Sequence, residues 1–291
     1  MEKLKGIFTA LLTPFDENNK VNEKSLADLV RMNVKMGVKG FYVGGSTAEA
    51  FLLSTDERKL IMDIVKDTAP ECTLIAHIGS LDERVALELG KHAKNLSYDL
   101  VSSVAPFYFK FSFDEIKNYY YRLADGSELP MLVYHFPNFS GVNMGIKEMS
   151  AFLADDRFAG IKYTSNDFFT LERCKAHFPD KVIYNGFDEM FLAGLSMGAD
   201  GAIGSTYNFM ANKFVKINLL FAQNKLAEAR KLQNEANEII EALIKVGVMA
   251  GEKAVVSAMG IPMGNCREPF GKLEGDALKQ FLDFVLPKIE A

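Results

Sequence analysis

The sequence has few cysteines, and none of them lies in a motif where cysteine carries out chemistry. Cys72, Cys174 and Cys266 are the three cysteines among 291 residues, and no CxxC pair occurs. We therefore expect neither a disulfide framework nor a zinc site made of cysteines. Reduced thiols are the usual state in the cytoplasm, which is the location we expect. The segment from Met1 to Gly6 also lacks the apolar core of a signal peptide.

Long apolar runs and basic runs are absent as well. No stretch of eighteen apolar residues occurs, so the sequence predicts no membrane-spanning helix. The formal net charge is −5 and basic residues are not clustered, which argues against binding to nucleic acid or to anionic membranes. A small anionic partner would have to find local positive groups or backbone N–H donors.

Metal-binding and dinucleotide-binding motifs are also missing. His77 and His135 could be metal ligands, but no HxH, no HExxH and no carboxylate companion accompanies them. We therefore expect both histidines in the core or in a wall of the site, and no metal. No GxGxxG follows the first predicted strand, which argues against a dinucleotide site.

What the sequence does contain is a regular alternation of short apolar runs with amphipathic, charged segments. The apolar runs are continuous, as expected of parallel strands that are covered on both faces. The predicted strands span residues 7–13, 40–44, 73–78, 99–104, 130–135, 159–163, 181–185 and 200–204. Helix-start signals occur at Asn22, Ser54, Ser112 and Asp167. Eight successive strand–helix units predict an α/β fold, a closed (β/α)₈ TIM barrel.

The end of the chain is too long for one more barrel helix. The eighth unit should end near residue 223, and three helical segments follow it. We therefore predict a catalytic barrel over residues 1–223 and a C-terminal helical extension over residues 224–291. No linker rich in Pro, Gly or Ser separates them, so we expect one folded unit.

One lysine stands out because it lies inside an apolar strand. Lys162 occupies the run 158–163, and a barrel places its active site at the carboxyl ends of such strands. Burial there lowers the pKa of an ammonium group, and a neutral amine is what Schiff-base formation with a ketone requires. The alternative is an ion-paired lysine, or one that extends its charge to solvent.

Other strand ends carry polar groups that suit such a lysine. The turn 44–47 (GGST) offers two hydroxyls and backbone N–H groups to a small carboxylate, or it is a glycine-rich turn with a helix cap. Tyr134 is either a proton shuttle or an ordinary strand aromatic. Asp188 and Glu189 either bind sugar hydroxyls or are acidic residues that open a helix.

Three motifs together resemble one enzyme family. GGSTAE at 44–49, YHFPNFSGV at 134–142 and GIKYTSND at 160–167 resemble the dihydrodipicolinate synthase / N-acetylneuraminate lyase superfamily. The resemblance covers nearly the whole chain. It implies a class I aldolase on a (β/α)₈ barrel that forms a homotetramer and uses no metal or organic cofactor.

The resemblance also implies roles for individual residues. Lys162 is the expected Schiff-base lysine and Tyr134 the expected proton-transfer residue. Ser46 and Thr47 would bind the carboxylate of pyruvate. Tyr108 is similar to a tyrosine that family members bring towards the active site of a neighbouring subunit.

Within the superfamily, two features favour the sialic acid lyases. Dihydrodipicolinate synthases carry an arginine at the position of Phe139, and its absence argues against a substrate with a second carboxylate. The segments 185–190 and 204–208 are similar to the sialic acid lyases, and a polyol needs hydrogen-bonding acceptors rather than a cation. The residues expected to bind the sugar are Thr164, Gly186, Asp188, Glu189 and Ser205.

The expected reaction is the reversible cleavage of N-acetylneuraminate to N-acetylmannosamine and pyruvate. The alternatives are an aldolase for another 2-keto-3-deoxy sugar acid, dihydrodipicolinate synthase, or a non-catalytic sensor on the same barrel. One departure from the family is Ala48, where a glycine is usual. Its methyl group would be harmless if the backbone there is helical.

Overall fold

A closed barrel of eight parallel strands forms the centre of the protein, as a computed structural model that describes residues 2–290 shows. The strands are β1 (Gly6–Ala10), β2 (Gly40–Val43), β3 (Thr73–His77), β4 (Leu100–Val104), β5 (Met131–His135), β6 (Phe158–Tyr163), β7 (Val182–Asn185) and β8 (Gly201–Gly204). They follow one another in chain order, and β8 closes the barrel against β1. The predicted (β/α)₈ barrel is confirmed.

The first strand is shorter than the sequence predicts. Residues 7–13 form one apolar run, but β1 ends at Ala10. Leu11 and Leu12 remain fully buried, and the Thr13 hydroxyl donates to the Ala48 carbonyl at 2.9 Å. An apolar run indicates that its residues are buried, but not that they pair with a neighbouring strand. Here the run continues past the end of β1 into a buried loop.

Helices alternate with the strands, and most begin where the capping signals predict. The helices are α1 (Glu23–Lys35), α2 (Thr55–Thr68), α3 (Glu83–Asn95), α4 (Phe113–Ser127), α5 (Pro137–Ser140), α6 (Ile146–Leu153), α7 (Phe168–His177), α8 (Phe191–Ser196), α9 (Tyr207–Ala222), α10 (Leu226–Val246), α11 (Val248–Ala258) and α12 (Gly275–Glu290). Asn22 caps α1, and Ser54 and Ser112 form capping boxes with Glu57 and Glu115. No helix in the described range 2–290 is both long and apolar enough to cross a membrane.

The barrel interior has its own packed core, separate from the larger core between strands and helices. The inward-facing set comprises Leu4, Phe8, Ala10, Tyr42, Ile75, Leu100, Val104, Leu132, Tyr134, Val182, Tyr184 and Ile203. At the amino-terminal end of the strands, the Tyr184 hydroxyl donates to the Leu4 carbonyl and so ties the first residues across the barrel. The polar residues gather at the opposite end, where enzymes of this fold place their sites.

The C-terminal helices pack over that opposite end. The boundary we propose at residue 223 lies between α9 and α10. The Lys253 ammonium of α11 lies 2.6 Å from a Glu49 carboxylate oxygen, and both side chains are buried. Arg267 pairs with Glu57 of α2. The extension therefore contacts the connection between β2 and α2, next to the candidate site.

Candidate active site

Lys162 extends its amine into the barrel between two tyrosine rings. In the sheet it pairs with Tyr134 of β5 on one side and Tyr184 of β7 on the other. Its Nζ lies 4.2 Å from the ring centre of Tyr134 and 4.5 Å from that of Tyr42. The side chain is buried, and Lys162 forms no ion pair with the residues that the structure describes. Both ordinary explanations for this lysine therefore fail.

The surroundings of Lys162 favour the neutral form of its amine. Burial lowers the pKa of the Lys162 ammonium from 10.5 to about 7, while the negative charge of Asp188 acts in the opposite direction. Desolvation wins because the cation has lost its water and gained no carboxylate in contact. A large neutral fraction of the amine is therefore available to attack a ketone.

Tyr134 joins the lysine to the turn after β2. Burial raises the pKa of its phenol, and the hydroxyls of Ser46 and Thr164 close to it act in the opposite direction. The phenol therefore stays protonated at neutral pH, and it can relay a proton by giving up its own while it accepts another. Ser46 and Thr47 both belong to the short 3₁₀ helix Ser46–Ala48 that follows β2.

The turn that carries Ser46 is held by backbone geometry, and Ala48 does not disturb it. The left-handed residues are Gly44 and Glu49, with φ of 72° and 59°. Ala48 lies inside the 3₁₀ helix, so its methyl group meets no conformational conflict. His77 Nδ1 donates to the Gly44 carbonyl at 2.9 Å and fixes the start of the turn.

Thr164 and Gly186 lie together beyond the lysine. The Thr164 hydroxyl is buried and has no hydrogen-bond partner within residues 2–290. A Cβ at Gly186 would lie 1.9 Å from that hydroxyl oxygen. Gly186 is one of the residues expected to bind the sugar, and in the structure the group that approaches its backbone closely is the Thr164 side chain.

Asp188 and Glu189 are adjacent in sequence, but they occupy different environments. Asp188 is buried, and its Oδ2 accepts from the Thr206 N–H at 2.9 Å and from the Thr206 hydroxyl at 2.7 Å. Its Oδ1 has no partner in the described part of the chain. Burial raises the pKa of Asp188 to about 6, against the Thr206 hydrogen bonds, which lower it. Glu189 is half-buried at the rim.

The sequence analysis missed a second buried carboxyl group, on the C-terminal extension. The Ser205 hydroxyl lies 2.6 Å from Glu252 Oε1, and Glu252 is completely buried in α11. Burial raises the pKa of Glu252 to about 8, against the Ser205 hydrogen bond, which lowers it. The pair Glu252–Lys253 is a run of two charges in an otherwise small and apolar helix, and that pattern was the available signal.

Tyr42 is the other residue that the sequence analysis passed over. Its ring lies beneath the Lys162 amine, and its hydroxyl shares a 3.0 Å hydrogen bond with Ser102. The sequence offered no signal for it, because a tyrosine within an apolar strand is ordinary.

Both histidines are buried, as expected of residues in the core or in a wall of the site. His77 Nε2 accepts from the Val104 N–H at 3.3 Å, so both of its nitrogens bind backbone groups. The buried His135 ring stacks on Tyr163 at 5.0 Å. Between residues 2 and 290 there is no group of three His, Cys, Asp or Glu side chains arranged to hold a metal ion.

Two aromatic residues singled out in the sequence lie on the surface. Tyr108, in the connection between β4 and α4, is 84% exposed and has φ of 77°, and it is not part of this chain's own cluster around Lys162. Phe139 lies on α5, 68% exposed, with its ring 4.2 Å from that of Phe136. The predicted residues that come together are Ser46, Tyr134, Lys162, Thr164, Gly186, Asp188 and Ser205, and Thr47 follows Ser46 in the same turn.

Comparison with known proteins shows the family and the fold of the chain. A family model described as the dihydrodipicolinate synthetase family matches residues 3–286. The chain is 45% identical over 287 residues to the N-acetylneuraminate lyase of Rhizobium meliloti (strain 1021), which covers 98% of this chain and 95% of that protein. Among solved structures, CdNal from Clostridium difficile in complex with mannosamine has a TM-score of 0.95 and 38% identity, covering 98% of this chain and 99% of that one. The N-acetylneuraminate lyase of Fusobacterium nucleatum complexed with pyruvate has a TM-score of 0.94 and 38% identity, covering 100% and 98%.

Proposed function

The chain belongs to the dihydrodipicolinate synthetase family, and on that premise we propose that it is an N-acetylneuraminate lyase with Lys162 as its imine-forming residue. It is a class I aldolase that cleaves N-acetylneuraminate reversibly to N-acetylmannosamine and pyruvate. The observation that carries the role of Lys162 is its amine, buried between Tyr42 and Tyr134 with a pKa lowered to about 7.

The proposed mechanism uses the lysine as the electron sink. The Lys162 amine adds to the keto carbon and loses water, which leaves an iminium ion while Ser46 and Thr47 hold the adjacent carboxylate. The C4 hydroxyl gives its proton to the Tyr134 oxygen while Tyr134 gives its own phenol proton to the substrate carboxylate. The C3–C4 bond breaks, its electrons enter the iminium, and the sugar aldehyde leaves. Protonation of the resulting enamine at C3 and hydrolysis then release pyruvate and the free amine.

The sugar part of the substrate is proposed to lie along the ends of β6, β7 and β8. Thr164 and Asp188 each have a buried oxygen with no partner among residues 2–290, and such atoms suit the hydroxyls of a polyol. Glu189 and Ser205 extend this row of hydrogen-bonding groups, and Gly186 leaves room for Thr164. Phe139 offers no positive charge for a second carboxylate.

Trapping with borohydride tests the proposed chemistry. Borohydride with pyruvate should leave a reduced adduct on Lys162, located by peptide mass spectrometry, and Lys162→Ala should remove both the adduct and the cleavage activity. Lys91→Ala, a surface substitution on α3, is the matched control and should leave both unchanged.

Pyruvate release is then measured with N-acetylneuraminate and with 2-keto-3-deoxygluconate. If an adduct forms but only 2-keto-3-deoxygluconate is cleaved, the assigned substrate is refuted and the aldolase mechanism is retained.

We also propose that the protein is a cytoplasmic homotetramer that acts in sialic acid catabolism. The exposed Tyr108 ring, with Phe109 at 5.0 Å, supports a contact with a neighbouring subunit, and the three free cysteines suit a reducing compartment. Light scattering should give four times the chain mass, and Tyr108→Ala should lower activity in the assembled protein. A monomer with full activity would contradict the assembly.

A further inference from the structure

Ser205 lies between the candidate sugar site and a carboxyl group that comes from outside the barrel. Ser205 is a partly exposed residue at the carboxyl end of β8. On the side facing α11 its hydroxyl lies 2.6 Å from Glu252 Oε1. A hydroxyl has only one proton to donate. Ser205 can therefore donate a hydrogen bond to a ligand only if Glu252, and not Ser205, is the donor in the hydrogen bond between them.

The surroundings of Glu252 decide where that hydrogen lies. The side chain is completely buried, and Oε2 has no hydrogen-bond partner in the described part of the chain. An ionised carboxylate would be poorly satisfied there, and so would a proton on Oε2. The least costly arrangement places the proton on Oε1, where it is donated to Ser205 Oγ. The Ser205 proton is then left free.

We propose that Glu252 is a positioning residue that sets the direction of the Ser205 hydrogen bond at the sugar site. While Glu252 is protonated, it donates to Ser205, and Ser205 donates to an oxygen of the bound sugar. When Glu252 loses its proton to solvent, Ser205 turns to donate to the carboxylate and is lost as a donor to the sugar. The inference rests on the proposed function and adds to it a residue of the C-terminal extension that controls substrate affinity.

The charged groups around Glu252 favour its protonated form. Asp188, in the turn after β7, adds a negative charge that raises the pKa of Glu252 further. Cys266, in the segment after α11, is uncharged at neutral pH, because burial raises the pKa of its thiol to about 11 against the positive charge of Lys253, which lowers it. The adjacent Lys253 directs its charge to Glu49 at 2.6 Å rather than to Glu252.

Two further polar groups, both close to Asp188, are an uncharged amide and a phenol. Gln233 of α10 is an amide that donates to the Asp188 carbonyl at 3.0 Å, and Tyr207 of α9 has a phenol whose pKa burial raises. With a pKa of about 8, Glu252 is protonated at pH 7 and ionised at pH 9. The affinity for the sugar should therefore fall as the pH rises through this range.

The test compares KM for N-acetylneuraminate between pH 7 and pH 9 in the wild type and in Glu252→Gln. The wild-type KM should rise roughly three- to tenfold, the equivalent of one lost hydrogen bond. The KM of Glu252→Gln should stay flat, because its amide donates to Ser205 at every pH. Glu241→Gln, on the exposed face of α10, is the matched control and should keep the wild-type profile. The kcat profile, which Lys162 governs, should be shared by all three.

Ser205→Ala separates positioning from a general effect of the buried carboxyl. This variant should have a higher KM at pH 7, and its KM should not rise further towards pH 9. In the double variant, adding Glu252→Gln should have no further effect on KM. Equal rises of KM in the wild type and in Glu252→Gln would overturn the inference. A persistent rise in Ser205→Ala would also overturn it, even if Glu252→Gln does not fold. Failure of the proposed function looks different: no pyruvate is released and no adduct is trapped at any pH.

Discussion

Lys162 shows how a single residue acquires its chemistry from position alone. An amine with the ordinary pKa of 10.5 is neutral at pH 7 to the extent of about one part in three thousand, whereas an amine with a pKa of about 7 is half neutral. The gain in reactive amine is on the order of a thousandfold. It arises because β6 delivers the side chain into a space lined by tyrosine rings rather than by carboxylates.

The rate of imine formation should follow this titration. Because the neutral amine is the nucleophile, borohydride trapping with saturating pyruvate should speed up as the pH rises, reach half its maximum near pH 7, and level off above it. Single-turnover trapping between pH 5.5 and about 10 measures the profile. A rate that keeps climbing to pH 10 would mean that the lysine keeps an ordinary pKa.

Gly186 should not tolerate a methyl group. In Gly186→Ala the new Cβ would lie 1.9 Å from the Thr164 hydroxyl and 2.8 Å from Thr164 Cβ, so Thr164 must move. We expect a loss of about 1–3 kcal/mol in the free energy of unfolding and a large rise in KM for N-acetylneuraminate. Urea unfolding and steady-state kinetics measure the two effects. Gly271→Ala is the control, because its Cβ meets no atom within 4 Å.

At this scale, the sequence predicted those residues of the candidate site that follow a strand. Lys162, Tyr134 and Asp188 could be placed because strand ends of a barrel share one face. Glu252 could not be placed. Its contact with Ser205 joins residues 47 positions apart through a helix whose docking no local pattern specifies. Tyr42 was missed because a tyrosine within an apolar strand carries no distinguishing signal.

At the scale of elements, continuous apolar runs located all eight strands, with boundaries that differ by about one residue except at the end of β1. There the run continues into the buried residues Leu11 and Leu12, and burial alone does not distinguish a strand from a loop. Helix starts were more sharply defined, because a cap is a specific hydrogen bond rather than a general preference.

The cap of α2 offers a test at this scale. Ser54 accepts from the Glu57 N–H, and the Glu57 carboxylate accepts from the Ser54 N–H at 2.8 Å. Ser54→Ala should lower the free energy of unfolding by about 1 kcal/mol, as measured by urea denaturation. Thr55→Ala, at the next position, makes a good control because the Thr55 hydroxyl forms no hydrogen bond with the described residues. Equal losses in both variants would show that the cap contributes nothing.

At the scale of the whole molecule, a buried ion pair fastens the C-terminal helices to the barrel. Lys253 lies 2.6 Å from Glu49, and Glu49 also accepts from the Arg267 N–H at 2.7 Å. Glu49 is a left-handed residue at the end of the turn that carries Ser46 and Thr47. The sequence predicted an extension but not its partner, because no periodicity relates residue 253 to residue 49.

Removing the cation should both destabilise the fold and disturb the turn. Lys253→Met leaves a buried carboxylate without its ion pair and should cost about 3–5 kcal/mol in unfolding free energy. The affinity for pyruvate should also fall. Adding Glu49→Gln should restore much of the stability, because the charge to be satisfied is then gone. Lys245→Met, which breaks an exposed pair with Glu241, should change stability by less than about 0.5 kcal/mol. Urea denaturation of all four proteins is the measurement.

The docking of α11 behind Ser205 also bears on how such a protein diversifies. A barrel that supplies its whole pocket from its own loops can change its preferred sugar only by altering those loops, next to the reacting groups. Here one wall of the proposed pocket belongs to a separate helix, and a mutation at Glu252 of that helix changes neither the lysine, nor the tyrosine, nor the ion pair that holds the carboxylate turn. In proteins with this architecture, natural selection can therefore change the preferred sugar at this position of the helix without altering the residues that carry out the reaction.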